Sequence, residues 1–411
     1  MARQEKKMRR NWLPYMGGWR SAGCTAVALY ALATSVAPAN ADTIRSQQWY
    51  LDAMHAEEIW RTSTGAGVTV AVIDSGVDGS LPDLHGQVLP GKDFSGIEEE
   101  TPPDYEGHGT GMAVLIAGTG KSNGGQGSFG LAPGAKILPL RVANDKAPRT
   151  KLLAGATVYR AVRYAADSDA KIINISMGMP AGDPEGAKDI EYALSKGKII
   201  FASAGNRGDK GNDVEYPAAY PGVVGVAAVD QEIKAPSWSR HGPEVDLAAP
   251  GDNMVTACLG GTGVCRGKGT SAATALTSAS AALLWSAHPD WTANQVLRVL
   301  INTAGGPKSG EKRSDSIGYG VVRPRVALQT PGDPGPADVS PLPELAAAKS
   351  PAPGTASSDE DAAHRQAAEP KKDGSSLLSQ RNVLAVGVAA AVILASGASV
   401  LLKRRRRTQP K

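Results

Sequence analysis

The sequence predicts an α/β domain in which a central, mostly parallel sheet has helices on both of its faces. Two observations support this fold class. Short apolar runs alternate with longer segments of helical periodicity, and the roughly 290 residues from 42 to 328 suit one large domain. The predicted strands are 68–73, 135–140, 171–175, 199–202 and 223–229. The predicted helices lie near 108–117, 152–166, 189–196, 270–286 and 293–302.

Residues 1–41 have the features of a secretory signal peptide. Six basic residues lie within the first 20 positions, an apolar stretch follows, and Ala39-Asn40-Ala41 offers small residues for cleavage. An uncleaved N-terminal anchor is the alternative. Either way, the chain is expected to be exported.

Residues 42–67 form an N-terminal extension that precedes the first predicted strand. We expect a helix near 52–61 that packs on the domain through Trp49 and Trp60. The extension is too short to be a folded inhibitory pro-segment. Activity is therefore not expected to require removal of a large pro-segment.

Three short segments place an aspartate, a histidine and a serine beside glycines, which let the backbone come close to a substrate. Asp74 follows the apolar run 68–73, His108 lies in Gly-His-Gly-Thr, and Ser271 lies in Gly-Thr-Ser. A serine hydroxyl is a weak nucleophile until a neighbouring imidazole takes its proton. His108 is thus the candidate base, and Asp74 is the carboxylate that would fix its tautomer. Asn206, in Ala-Gly-Asn after a predicted strand, is the candidate donor to a developing oxyanion.

Each of these segments alone has an ordinary structural interpretation. Asp-Ser-Gly at 74–76 is a common turn, and Gly-Thr-Ser at 269–271 is a common helix N-cap. Catalysis is favoured because the segments occur together in the chain order Asp, His, Ser, each at a predicted strand end or helix start. The combination predicts an activated serine nucleophile.

Together these motifs resemble those of the subtilisin-like serine proteases, whose triad has the same chain order. The resemblance extends over residues 68–328. It implies a subtilisin-like three-layer fold and hydrolysis of peptide bonds through an acyl-enzyme intermediate, with no cofactor.

The same resemblance implies where a substrate binds. Asn-Ile-Ser-Met-Gly at 174–178 is similar to the family strand that lines the groove for the substrate residue before the scissile bond. The bond between Tyr216 and Pro217 lies in a segment that is similar to one in which the family has a cis peptide. The implied groove residues are Ser176, Met177, Gly178, Ala204 and Gly205.

Within this family the chain resembles the mycosins, membrane-anchored proteases linked to type VII secretion in actinobacteria. The resemblance rests on Arg-Ser-Gln-Gln-Trp-Tyr-Leu at 45–51, on a Pro-rich tail and on an apolar segment near the C-terminus. It implies a type VII secretion membrane complex as a partner.

Cys258 and Cys265 lie close together in a Gly-rich segment just before Ser271. In an exported protein this pair predicts a disulfide that would fix the approach to the nucleophile. Two reduced thiols are the alternative. A metal site is not expected, because no second pair of Cys or His lies nearby at ligand spacing.

The C-terminal part predicts a membrane tether. Residues 330–382 are rich in Pro, Ala, Ser, Gly, Asp and Glu, a composition typical of a disordered linker. Residues 383–402 carry no charge and are long enough to cross a bilayer as a helix, and five consecutive basic residues follow. The basic tail 403–411 is therefore expected in the cytoplasm, and the protease domain, 68–329, outside it. A buried core helix is the alternative for the apolar segment.

The net charge of +4 comes from basic residues at the two ends of the chain. They serve membrane topology and give no indication of a nucleic-acid partner. We therefore expect a single-pass serine endopeptidase of the cell membrane that acts on protein or peptide substrates outside the cytoplasm. The alternative is a structural cap or clamp of the secretion apparatus whose protease activity is vestigial or secondary.

Overall fold

The computed structural model describes residues 43–96, 103–143, 154–257, 259, 264–343 and 345. The predicted signal peptide 1–41, the apolar segment 383–402 and the basic tail 403–411 lie outside the described residues, as does Cys258. Within the described ranges, no helix combines the length and apolar character that crossing a bilayer requires.

In this part of the chain, seven strands form one parallel sheet in the order β2-β3-β1-β4-β5-β6-β7. The inner strands are short and rich in Val, Ile and Ala, as expected where both faces of a parallel sheet are covered. The strands are β1 Thr69–Asp74, β2 Lys92–Asp93, β3 Lys136–Arg141, β4 Ile172–Ile175, β5 Ile199–Ser203, β6 Val224–Val229 and β7 Val245–Pro250.

Helices cover both faces of the sheet. They are α1 Ile44–Gln47, α2 Trp49–Ala53, α3 Ala56–Trp60, α4 His108–Ala117, α5 Ala154–Asp167, α6 Pro184–Ser195, α7 Thr270–Ala287, α8 Ala293–Thr303 and α9 Pro324–Gln329. Single helical turns lie at Pro82–Leu84 and Ser122–Gly125.

Alternate residues of β1 point into two separate apolar clusters. Val70 and Val72 belong to the cluster that contains α4 and α7, whereas Ala71 and Ile73 belong to the cluster that contains α5. This alternation follows from the two-residue period of a strand. The predicted α/β fold with a central parallel sheet and helices on both faces is confirmed.

Several elements differ from the sequence-based prediction. β7 was not predicted, because Asp246 interrupts its apolar run; its carboxylate accepts a 3.1 Å hydrogen bond from the Gly225 amide. α6 begins five residues earlier than predicted, because Asp183 caps it by accepting from the Glu185 amide. β8 Met254–Ala257 and β9 Val264–Gly267 form an antiparallel hairpin within the Gly-rich segment.

The N-terminal extension is part of the hydrophobic core. Trp49 Nε1 donates to the Asn253 carbonyl, and Trp60 Nε1 donates to the Leu131 carbonyl, so both tryptophans contact the domain. The single predicted helix is divided into short helices because His55 has a left-handed φ of 58°. Tyr50 is fully buried, and its hydroxyl donates to the Val255 carbonyl over 2.8 Å.

The first part of the predicted linker packs along α8. The Ala337 carbonyl accepts hydrogen bonds of 2.9 Å from both Thr292 Oγ1 and Asn294 Nδ2. Gln295 Nε2 donates to the Gly335 carbonyl over 3.0 Å, and the Leu342 side chain is 1% exposed. These donors come from the start of α8, so the segment is held mainly through its own backbone carbonyls.

Replacing Tyr50 is expected to destabilise the whole domain. Tyr50→Ala should lower the free energy of unfolding by about 3–5 kcal/mol, because it leaves a cavity at a fully buried aromatic position. Tyr50→Phe keeps the ring and should cost about 1–3 kcal/mol through the unpaired Val255 carbonyl. Urea denaturation measures both. A loss below about 1 kcal/mol for Tyr50→Ala would show that the extension does not fold with the domain.

Candidate active site

The carboxylate of Asp74 and the imidazole of His108 meet at the carboxyl edge of the sheet. Asp74 is the last residue of β1 and is 1% exposed, and His108 is the first residue of α4. His108 Nδ1 lies 2.8 Å from Asp74 Oδ1, which also accepts a hydrogen bond of 2.8 Å from the Ser75 amide. Because a carboxylate accepts, Nδ1 carries the proton and Nε2 is left as the basic nitrogen.

This contact makes the imidazole a stronger base. The Asp74 carboxylate raises the pKa of His108 from 6.5 to about 9, because its negative charge stabilises the imidazolium. Burial opposes the rise. The hydrogen bond to Asp74 and the charges of Glu106 and Asp104 add smaller increases to the pKa.

Ser271 lies at the start of a long buried helix. It is the second residue of the 18-residue α7, where the positive end of the helix dipole favours negative charge. Its Oγ donates to the Ser176 carbonyl over 2.9 Å, and Ser176 Oγ donates in return to the Ser271 carbonyl over 3.1 Å. The end of β4 therefore holds the start of α7.

The Asn206 side chain is oriented by the residue before Ser271. Its Oδ1 accepts from the Thr270 amide over 2.8 Å and from Thr270 Oγ1 over 3.1 Å. With its oxygen occupied, Asn206 has the two N–H groups of Nδ2 left to donate. His108, Asn206 and Ser271 line one cavity of about 370 Å³. The structure thus brings together the residues that the sequence singled out for chemistry.

The five predicted groove residues follow the ends of two paired strands. Ser176, Met177 and Gly178 come directly after β4, and Ala204 and Gly205 come directly after β5. Because the carboxyl ends of neighbouring parallel strands lie at one edge, both sets flank Ser271. The Gly205 amide donates to Thr270 Oγ1 over 3.2 Å, which ties the second set to the start of α7.

Two further predictions concern the surroundings of this site. The peptide bond between Tyr216 and Pro217 is cis, as the resemblance implied. Cys265 lies in β9 and lines the cavity. Since Cys258 lies outside the described residues, the disulfide between these two cysteines remains a prediction.

Sequence reasoning missed Asp104, which organises the start of α4. This carboxylate is fully buried and accepts five hydrogen bonds. The donors are Ser75 Oγ, the amides of Glu106, Gly107 and Thr110, and Thr110 Oγ1. The bond from Ser75 joins the end of β1 to the start of α4, so Asp104 fixes the two segments that carry Asp74 and His108. An acidic residue shortly before a helix start was its only sequence signal.

Asn174 was seen only as part of a motif, yet it connects β4 with α7. It is fully buried, and its Nδ2 donates to Ser176 Oγ over 2.9 Å. Its Oδ1 accepts from Ser278 Oγ over 3.0 Å. The amide therefore links the strand end beside Ser271 to the next turns of the helix that carries Ser271.

Comparisons with known proteins agree with this geometry. Residues 65–320 match the family model described as peptidase S8, subtilase family. Thermitase from Thermoactinomyces vulgaris is 34% identical over 259 residues, which cover 63% of this chain and 88% of thermitase. Subtilisin E from Bacillus subtilis is 36% identical over 245 residues, which cover 59% of this chain and 61% of subtilisin E.

A solved structure is similar to this chain in fold. The structure of the MycP3 protease from the type VII (ESX-3) secretion system is similar, with a TM-score of 0.60 and 34% sequence identity. The similar region covers 69% of this chain and 88% of that one.

The raised pKa of His108 predicts an alkaline activity profile. Below its pKa the imidazole is protonated and cannot accept the serine proton, so kcat/KM should rise with pH up to about 9. Asp74→Asn should move this rise to lower pH and reduce kcat by about 10⁴-fold. Initial rates on a peptide substrate at constant ionic strength measure both. A wild-type rise centred at 6.5 would contradict the strong effect of Asp74.

Asp104 is expected to act on the rate through the position of His108. Asp104→Ala should lower kcat by up to about 10²-fold while changing KM little, because a misplaced base slows the proton transfer. Asp104→Asn keeps one acceptor oxygen and should recover part of the rate. Asp290→Ala removes an exposed carboxylate elsewhere and serves as the control. Equal losses in kcat for Asp104→Ala and Asp290→Ala would contradict a positioning role.

Proposed function

The chain belongs to the subtilase family of serine peptidases, and within it we propose that Asp74, His108 and Ser271 form a triad that hydrolyses peptide bonds. The observation that carries the proposal is the 2.8 Å contact between His108 Nδ1 and the buried Asp74 carboxylate, in a cavity that Ser271 also lines. A neutral, oriented imidazole beside a serine is the arrangement that activates a hydroxyl.

In the first half of the reaction the substrate's acyl group is transferred to Ser271. The Ser271 hydroxyl leaves the Ser176 carbonyl, and its oxygen attacks the substrate carbonyl carbon while His108 Nε2 takes the proton. The tetrahedral intermediate collapses when the C–N bond breaks, and His108 returns that proton to the leaving amine. Asp74 stays ionised throughout and stabilises the imidazolium.

In the second half, water releases the acyl group. His108 Nε2 takes a proton from water as the water oxygen attacks the ester carbon. The bond to Ser271 Oγ then breaks, and the proton passes to the serine oxygen. The free carboxylic acid leaves, the triad is restored, and no cofactor takes part.

The negative charge of both tetrahedral intermediates needs hydrogen-bond donors. We assign this role to Asn206 Nδ2 and to the backbone amide of Ser271, which lies at the positive end of the α7 dipole. Removing one such donor typically costs about 10²–10³-fold in kcat. The substrate residue before the scissile bond would then lie in the groove between 176–178 and 204–205.

We also propose where the protein acts in the cell and with which complex. The predicted resemblance to the mycosins is confirmed by the similarity to the MycP3 structure, whose protein belongs to a type VII secretion system. This similarity supports a role beside a type VII secretion complex. We propose that residues 1–41 export the chain and that 383–402 anchor it, with the basic tail 403–411 in the cytoplasm. The substrates are then proteins or peptides outside the cytoplasm.

Fluorophosphonate labelling tests whether Ser271 is activated. The full chain in detergent should be labelled at Ser271, and labelling should disappear in both Ser271→Ala and His108→Ala. Ser195→Ala, at the end of α6, is the matched serine control and should be labelled like the wild type.

The same variants separate catalysis from a structural role. Labelling that survives His108→Ala, or no labelling of the folded wild type, would contradict the triad. Secretion that survives Ser271→Ala but fails when the whole protease domain is deleted would favour the cap or clamp.

A further inference from the structure

A single carboxylate lies where the ends of β4 and β5 face each other. A Cβ atom added at Gly178 would overlap Oε2 of Glu215 and would lie 2.9 Å from its Cδ. A Cβ atom added at Gly205 would lie 2.8 Å from the same Cδ. Because neither glycine has a side chain, there is room for the Glu215 carboxylate beside them. Any larger residue at either position would displace this carboxylate.

The segment that carries Glu215 is fixed to the end of β4. The amide of Met179 donates to the Tyr216 carbonyl over 2.7 Å, and the amide of Tyr216 donates to the Met179 carbonyl over 2.8 Å. Glu215 precedes Tyr216, so this pair of hydrogen bonds places its side chain beside Gly178.

This carboxylate lies a short way along the backbone from the proposed chemistry. Ser176, two residues before Gly178, accepts the hydrogen bond of Ser271 Oγ. Asn206 directly follows Gly205 and shares a cavity with Ser271. A substrate carbonyl held by Ser271 and Asn206 would therefore have its own side chain between the two strand ends, directed toward Glu215.

The Glu215 carboxylate is available to form an ion pair with a cation. In the described part of the chain it makes no hydrogen bond or ion pair, although it is half-buried. Burial raises the pKa of its carboxyl, and the positive charges of Arg240 and Arg207 lower it. Arg240 forms an ion pair with the buried Glu244, and in the described part of the chain its charge reaches Glu215 without an ion pair between the two.

We propose that Glu215 determines specificity by binding the ammonium or guanidinium group of a lysine or arginine that precedes the scissile bond. The proposal rests on the proposed function, because it places the substrate by Ser271 and Asn206. Gly178 and Gly205 carry no side chains that would obstruct the long methylene stem of such a residue on its way to the carboxylate. At its end, the cation meets a half-buried carboxylate, where an ion pair is screened less than at the surface.

Four peptide substrates that differ only in the residue before the scissile bond test the proposal on the full chain in detergent. These residues are lysine, arginine, norleucine and glutamate. Wild type should cleave the lysine and arginine peptides with a kcat/KM about ten- to hundredfold above that of the norleucine peptide. Norleucine has the stem of lysine without its charge, so this ratio isolates the ion pair.

Two substitutions assign the preference to one carboxylate. Glu215→Gln should bring the lysine and norleucine peptides to nearly equal kcat/KM through loss of the lysine rate alone. Glu215→Lys should favour the glutamate peptide. Asp209→Asn removes a charge from an exposed position of the same segment that does not act on the pKa of Glu215, and it should leave the ratio unchanged.

The outcomes separate this inference from the proposed function. If Ser271 is labelled by fluorophosphonate but the wild type cleaves the lysine and norleucine peptides equally, Glu215 has no such role and the triad stands. A preference for lysine that persists in Glu215→Gln would also overturn the inference. If no peptide is cleaved and Ser271 is not labelled, the proposed function itself fails.

Discussion

The hydrogen bond between Asp74 and His108 is the interaction on which the rest of the site depends. It joins the last residue of a central strand to the first residue of a helix, so the fold fixes both partners. Asp104 adds a second connection, because its buried carboxylate binds Ser75 on one side and the start of α4 on the other. The pKa of His108 follows from this arrangement.

The parallel sheet explains why the other residues are close by. The carboxyl ends of β1, β4 and β5 lie at one edge, and these are the ends that lead to Asp74, Ser176 and Asn206. The helix α7 meets that edge with its N-terminus, which places Ser271 against the Ser176 carbonyl. Asn174 and Ser278 hold the strand and the helix together from within the core. A parallel α/β sheet thus supplies the site at its edge with little irregular structure.

The sequence predicted what is encoded locally. Apolar runs and helical periodicity gave most strands and helices, and glycine-flanked motifs gave Asp74, His108, Ser271 and Asn206. What it missed depends on contacts between distant segments. In the sequence Asp104 is an ordinary loop residue, and its role is visible only from the five hydrogen bonds that it accepts in the fold. The role proposed for Glu215 likewise depends on Gly178 and Gly205, which lie beside its carboxylate in the fold.

The N-terminal extension also makes contacts with distant segments that the sequence did not predict. Its tryptophans were predicted to contact the domain, but the burial of Tyr50 depends on a carbonyl of the distant β8. By contrast, the predicted membrane span 383–402 and Cys258 lie outside the described part of the chain, so the membrane anchor and the disulfide stay predictions.

The most direct test of this account is an NMR titration of the His108 imidazole in the wild type and in Asp74→Asn. The wild-type imidazole should titrate with a pKa near 9, and this pKa should fall substantially in the variant, since the carboxylate is the main cause of the rise. The Nδ1 proton should also resonate far downfield in the wild type and lose that shift in the variant. Equal pKa values in the two proteins would contradict the account, because Asp74 would then not be the partner that activates His108.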